Sequence, residues 1–164
     1  MGQEIIVFSV PVNCGSLRGR ELTEESVANY LSREDWSACC RNGWFQDLLH
    51  KLIQTYGDFD ELSYLANQFA LLSPDQLPCK RQAIHKLLMR IQSDTQPFLD
   101  VTRWYGATAE EVREYIGQAT VKRHLDDDCV NAFSNFFSFL VSHVAALEEA
   151  ENDAKCLLHA TLGW

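Results

Sequence analysis

The pattern of hydrophobic and polar positions along this chain changes near residue 23. Before that point, residues 4–10 are rich in β-branched and aromatic side chains and end at Pro11, which predicts one β-strand. After it, apolar residues recur every three or four positions, as on one face of a helix. We therefore predict an α+β fold that is predominantly α-helical, with a small N-terminal β element followed by six or seven helices.

Capping and turn signals place the predicted helices along the chain. Thr23 is a suitable N-cap for the first helix, residues 32–40 are predicted as a short second one, and residues 44–56 form an amphipathic helix ended by Gly57. Three capping boxes follow, at residues 58–61, 73–76 and 108–111. The first of these predicts a helix that carries Leu62, Leu65, Phe69 and Leu72 on its inner face.

The longest predicted helix begins at Asp126, Asp127 and Asp128 and extends to about Ala160. Its first half is apolar nearly all round, so neighbouring helices or a second chain must cover it on every side. The positions expected either in a dimer interface or in the core are Phe133, Phe136, Phe137, Leu140 and Val144.

Changes of composition along the chain indicate at most a weak division into two subdomains. We predict an N-terminal β-containing subdomain over residues 1–57 and a helical subdomain over residues 58–164, with one continuous domain as the alternative.

Composition excludes several classes of protein. Of the 164 residues, 14 are Lys or Arg and 23 are Asp or Glu, so the net charge is 14 − 23 = −9, which disfavours direct binding to nucleic acid. Residues 130–147 are apolar but include polar side chains, so no membrane span is expected. The N-terminus lacks a basic segment, which predicts a cytoplasmic protein with no secretory signal.

A search for catalytic motifs gives little. Cys156 and His159 would lie three apart on one helical face, as two metal ligands could, but the six cysteines include no Cys-x-x-Cys pair, so we expect no metal site and no cofactor. Five histidines are spread along the chain at positions 50, 85, 124, 143 and 159. We expect a non-enzymatic protein, with a thiol or metal enzyme as the remaining catalytic alternative.

The acidic residues are concentrated at predicted helix starts, while residues 79–105 carry a local excess of basic side chains. Carboxylates spaced along a surface can occupy a basic channel that normally receives phosphates. The residues predicted to contact a target in this way are Asp58, Asp60, Glu61, Asp126, Asp127 and Asp128.

Two segments resemble a known family. The turn formed by Asn13, Gly15 and Gly19 directly after the first strand is similar to the opening of the ArdA-type antirestriction proteins, in which a strand leads into an Asn-x-Gly-x-x-x-Gly turn. Residues 56–66, followed by the Leu-Leu-Ser-Pro run at 71–74, resemble the middle region of that family.

The resemblance implies a protein of a phage, plasmid or other mobile element that acts in the bacterial host cytoplasm. Members of that family are acidic dimers that imitate DNA and block type I restriction–modification enzymes without catalysis. The expected function is therefore inhibition of a host restriction or other nucleic-acid-targeting defence complex through a protein target with a basic channel. The alternative is a helical interaction module, such as an immunity or regulatory protein, that acts through the apolar C-terminal helix.

Overall fold

The computed structural model describes residues 3–12, 22–31, 38–40, 44–57, 60–121 and 132–163. Six α-helices and four β-strands lie in this part of the chain, with shorter 3₁₀ helices between them. The strands are β1 Gln3–Val10, β2 Ala38–Cys40, β3 Phe69–Leu72 and β4 Cys156–Gly163, and the helices are α1 Glu24–Leu31, α2 Trp44–Tyr56, α3 Leu77–Ser93, α4 Gln96–Val101, α5 Ala109–Val121 and α6 Ala132–Asn152.

The four strands form one antiparallel sheet in the order β2-β1-β4-β3. The predicted first strand is confirmed as β1, which pairs with β4 over its whole length, from Gln3 opposite Gly163 to Val10 opposite Cys156. The sheet centre is therefore built from the two ends of the described chain.

Side chains of β4 alternate between two apolar clusters, one on each face of the sheet. Leu157 lies in the main core, to which α2, α3, α5 and α6 contribute. Cys156, Leu158 and Ala160 lie in a smaller cluster with Val27 of α1. Since both faces are covered, β4 is buried along residues 156–161.

The prediction that the final helix runs to Ala160 is wrong. Helix α6 ends at Asn152, and after a turn the chain enters the sheet as strand β4. The amide of Lys155 donates to Ala150 O at 2.9 Å and that of Ala154 to Glu151 O at 3.2 Å, which is a Schellman motif. Because β4 is buried on both faces, its sequence lacks the alternation that marks a half-exposed strand.

Two further predicted helices are corrected by the structure. Residues 60–66 form a 3₁₀ helix that buries Leu62 and Leu65, but the chain then extends into β3 with Phe69 and Leu72. The helix predicted through Cys40 is instead the short strand β2 at its end. In both places pairing to a neighbouring strand overrides local helical preference.

Two further helix signals are confirmed, whereas the predicted helix start at residues 126–128 lies outside the described residues. Helix α2 ends at Tyr56 and is followed by Gly57 with φ +66°, a conformation that favours glycine. Thr108 and Glu111 form the predicted capping box at the start of α5, with both bonds at 3.2 Å. The protein is thus an α+β fold dominated by helices, although its sheet is larger than the predicted N-terminal element.

Candidate functional site

Two of the six predicted acidic contact residues lie in the described part of the chain. Asp60 and Glu61 are both exposed, at the start of the 3₁₀ helix. Glu61 is less available than predicted, because its Oε2 lies 2.8 Å from Lys80 Nζ on α3. The other four, Asp58, Asp126, Asp127 and Asp128, lie outside the described residues.

The predicted family-motif turn also falls outside the described residues. This holds for Asn13, Gly15 and Gly19. Strand β1 does lead toward this turn, since it ends at Val10.

The apolar helix positions are placed within the core of the single chain. Phe136, Phe137 and Leu140 have no exposed surface, and Val144 is 8% exposed. The ring of Phe98 on α4 lies 5.3 Å from that of Phe137, centroid to centroid. The side chain of Phe133 is not among those described. A partner could not reach the four described side chains without displacing the chain's own helices.

The exposed surface of the described part is strongly acidic. It carries thirteen exposed carboxylates and five exposed basic side chains, a difference of 5 − 13 = −8. The exposed bases are Lys51, Lys86, Arg90, Arg103 and Arg113, and the exposed acids are Glu24, Glu25, Asp47, Asp60, Glu61, Asp75, Asp94, Asp100, Glu110, Glu111, Glu114, Glu149 and Asp153.

A second candidate site lies inside the protein, where the fold brings together three polar side chains from distant parts of the sequence. We call Tyr64, His143 and His159 the buried histidine cluster. Tyr64 comes from the 3₁₀ helix, His143 from α6 and His159 from β4. Both histidines have no exposed surface and Tyr64 is 5% exposed. The two imidazole centroids lie 5.7 Å apart.

One nitrogen of each imidazole is hydrogen-bonded and the other is not. Tyr64 Oη lies 2.8 Å from His143 Nε2, and His159 Nε2 lies 3.2 Å from Asn67 O. Because a carbonyl oxygen only accepts, Nε2 of His159 carries the proton and donates it. The Nδ1 atoms of His143 and His159 are buried and have no hydrogen-bond partner among the residues that the structure describes.

Burial governs the protonation of all three groups. Desolvation lowers the pKa of His159 to about 4 and lowers the pKa of His143 well below its usual range, with a smaller effect of His159 on His143. Burial also raises the pKa of Tyr64 far above that of a free tyrosine. All three groups are therefore neutral at pH 7.

The prediction that Cys156 and His159 share one face of a helix is wrong. On a strand, residues three apart point to opposite faces, so Cys156 lies on the α1 side of the sheet and His159 on the α6 side. Within the described residues, no group of three or more His, Cys, Asp or Glu side chains is arranged to hold a metal ion.

The sequence carried no signal for the buried histidine cluster. Tyr64 and His143 are 79 positions apart, and the predicted final helix would have kept His143 and His159 on one element. Their proximity depends on the turn after α6 that returns β4 to the sheet.

Comparisons of the chain with protein-family models, curated proteins and solved structures find no match. Among the residues that the structure describes, no helix combines the length and the apolar character needed to span a bilayer. The features of the structure that bear on function are therefore the acidic surface and the buried histidine cluster.

Proposed function

We propose that this chain is a non-catalytic counter-defence protein that binds a basic, nucleic-acid-binding surface of a host defence complex. In this proposal it is encoded by a mobile element and acts in the bacterial cytoplasm. The observation that carries the proposal is the excess of exposed carboxylates over exposed basic groups in the described part, thirteen against five. The resemblance of the Asn13, Gly15 and Gly19 turn to the ArdA-type proteins supplies the class of target.

The exposed carboxylates differ in whether they already have a partner in the protein, and this determines how readily each could bind a target. Glu61 is engaged by Lys80, and the Glu111 side chain caps α5 by accepting from Thr108 N. The carboxylate of Asp60 is exposed and makes no hydrogen bond or ion pair with another described residue. Between the two described contact residues, a target that offers a lysine or arginine would therefore gain more from Asp60 than from Glu61, since binding to Asp60 does not displace an existing partner.

The experiment uses a purified type I restriction–modification enzyme as the probe. Its affinity for the wild-type chain is measured by titration, and its DNA cleavage is measured with and without the chain. We expect inhibition in proportion to bound protein, and binding that weakens steeply as NaCl rises from about 50 to about 200 mM, because opposite surface charges are screened by salt.

The first prediction concerns Asp60. Asp60→Lys is expected to weaken binding about tenfold, since it replaces attraction by repulsion toward a basic target. Glu149→Lys on α6 is the matched control with the same change of charge at another exposed position. Equal affinities of the two variants would remove Asp60 from the contact surface, and an unaffected restriction enzyme would contradict the proposed target class.

A further inference from the structure

The two unpartnered imidazole nitrogens of the buried histidine cluster have no role in the proposed binding surface. Buried polar atoms normally have a hydrogen-bond partner, so two orphaned Nδ1 atoms in contacting rings indicate a constrained arrangement. The cluster joins three parts of the fold. These are α6, the central strand β4, and residues 60–72, which we call the 60–72 segment and which comprise the 3₁₀ helix and β3.

We propose that the buried histidine cluster is an acid-sensitive latch that holds the 60–72 segment against β4 and α6 and releases it when the histidines are protonated. The device depends on the fold alone and does not require the proposed function. Its state would be set by the pH around the protein.

The hydrogen bonds of the cluster engage one nitrogen of each imidazole and provide no acceptor for a second N–H on either ring. Neutral His159 donates from Nε2 to Asn67 O and keeps an unprotonated Nδ1, and His143 shares one hydrogen bond with Tyr64 Oη. Protonation would add an N–H at Nδ1 of His159 and leave both nitrogens of His143 as donors. In the described structure no acceptor lies within reach of either Nδ1, so the added charge would be buried without compensation.

The described groups around the cluster offer no counter-charge. In register with His159 are Val7 on β1 and Ala70 on β3, and the ring of Phe139 on α6 contacts His143. Lys80 of α3 lies 5.5 Å from the centroid of the Tyr64 ring and is itself paired with Glu61 of the 3₁₀ helix.

Within the described residues, the titratable groups in contact with each imidazole are Tyr64 and the other histidine, all neutral at pH 7. The polar partner of His159 is the Asn67 carbonyl. Hydration of a protonated imidazole therefore requires part of the structure to move away.

The 60–72 segment is the part whose release breaks the fewest strand pairings, four with β4, although it also takes Leu62 and Leu65 out of the core. Strand β3 lies at the edge of the sheet and pairs only with β4, whereas β4 is also paired with β1 over eight residues. Both partners of the histidines, Tyr64 Oη and Asn67 O, belong to this segment. Its release would expose both rings to water while β1, β4 and α6 remain packed.

The second prediction tests the latch on the wild-type protein. The pKa of each imidazole is measured by NMR, and the protection of the β3 amides by hydrogen exchange at pH 7 and pH 5. We expect His159 to titrate near 4 in the closed state. In the open state each imidazole has an ordinary pKa near 6.5, so the equilibrium constant for opening of β3 should rise about 20-fold per histidine between pH 7 and pH 5. Amides of α5 should keep their protection after correction for intrinsic exchange.

Variants identify the groups responsible. The double variant Tyr64→Phe, His143→Leu removes one titrating imidazole together with its hydrogen-bond partner. It should roughly halve the logarithm of the fold-change in β3 opening between pH 7 and pH 5. His50→Gln on α2 is the control, because His50 is exposed and outside the cluster. Should the double variant not fold, the wild-type measurements still decide. Titration of His143 and His159 near 6.5 in the folded protein, or β3 amide protection that is unchanged at pH 5, would overturn the latch.

Discussion

Tyr56 shows how a single side chain connects several elements. Its phenol oxygen donates to Asp94 O at 2.7 Å and accepts from Phe98 N at 3.0 Å, so the end of α2 is tied to the end of α3 and to the first turns of α4. Burial is the main cause that raises the pKa of Tyr56 to about 12. The hydroxyl thus stays protonated and keeps its donor role throughout the physiological range.

The third prediction is that Tyr56→Phe lowers the free energy of unfolding by about 1–3 kcal/mol, because the buried amide of Phe98 loses its acceptor. The measurement is urea unfolding at pH 7, with the slope of the transition as a check on the unfolded state. A loss below about 0.5 kcal/mol would mean that another group satisfies that amide.

The same residue predicts a pH dependence in alkali. Between the unfolded pKa of about 10 and the folded pKa of about 12, the folded state holds a proton that the unfolded state has lost. Stability is therefore fully present below pH 10 and falls as the pH rises toward 12. Tyr56→Phe should show a shallower decline over this window than the wild-type protein, and equal slopes would contradict the assignment to Tyr56.

At this scale the sequence predicted burial well and polar contacts poorly. The three- and four-residue spacing correctly indicated that Leu62 and Leu65 face inward, because periodicity reports which side is apolar. The bond from Tyr64 to His143 and the pairing of Glu61 with Lys80 join residues 79 and 19 positions apart. Local spacing contains no information about such contacts.

The turn between α6 and β4 is the element that most changes the fold from the predicted one. In its Schellman motif the residue at the left-handed position is Ala154, with φ +50°. Most helices that end in this way have glycine there, since an alanine Cβ makes this conformation costly. The absence of that glycine explains why the sequence did not indicate the end of α6.

The fourth prediction is that Ala154→Gly stabilises the protein by about 1 kcal/mol, because glycine adopts positive φ without a Cβ penalty. Asn152→Gly, at the last helical residue of α6, is the matched control and should destabilise it, since glycine is a poor helix former. Thermal and urea unfolding of the two variants provide the measurement. A destabilised Ala154→Gly variant would refute the strain at this turn.

At the scale of the whole molecule, β4 connects the two apolar clusters and pairs on both sides. It contacts β1 and β3 in the sheet, and α6 lies across it in the main core. The class of the fold followed from composition and periodicity, but the sheet order did not, since pairing between strands far apart in sequence has no local signature.

The fifth prediction follows from this central position. A chain that ends at Asp153 lacks β4 entirely and leaves the inner edges of β1 and β3 without their partner. We expect it to lose cooperative thermal unfolding and to aggregate, because unpaired apolar strands associate readily. A truncated chain that remains monomeric with a sharp transition would show that the helices fold without the sheet. The Ala154→Gly chain of full length serves as its control for expression.

The pairing of β1 with β4 also determines the order of events during biosynthesis. The strand that is translated first waits for a partner separated from it by 156 − 10 − 1 = 145 residues. Helices α2 to α5 can form as they leave the ribosome, whereas β1 has only the short strand β2 as a sheet partner until β4 emerges. Cooperative folding of the sheet therefore waits until β4 has been synthesised.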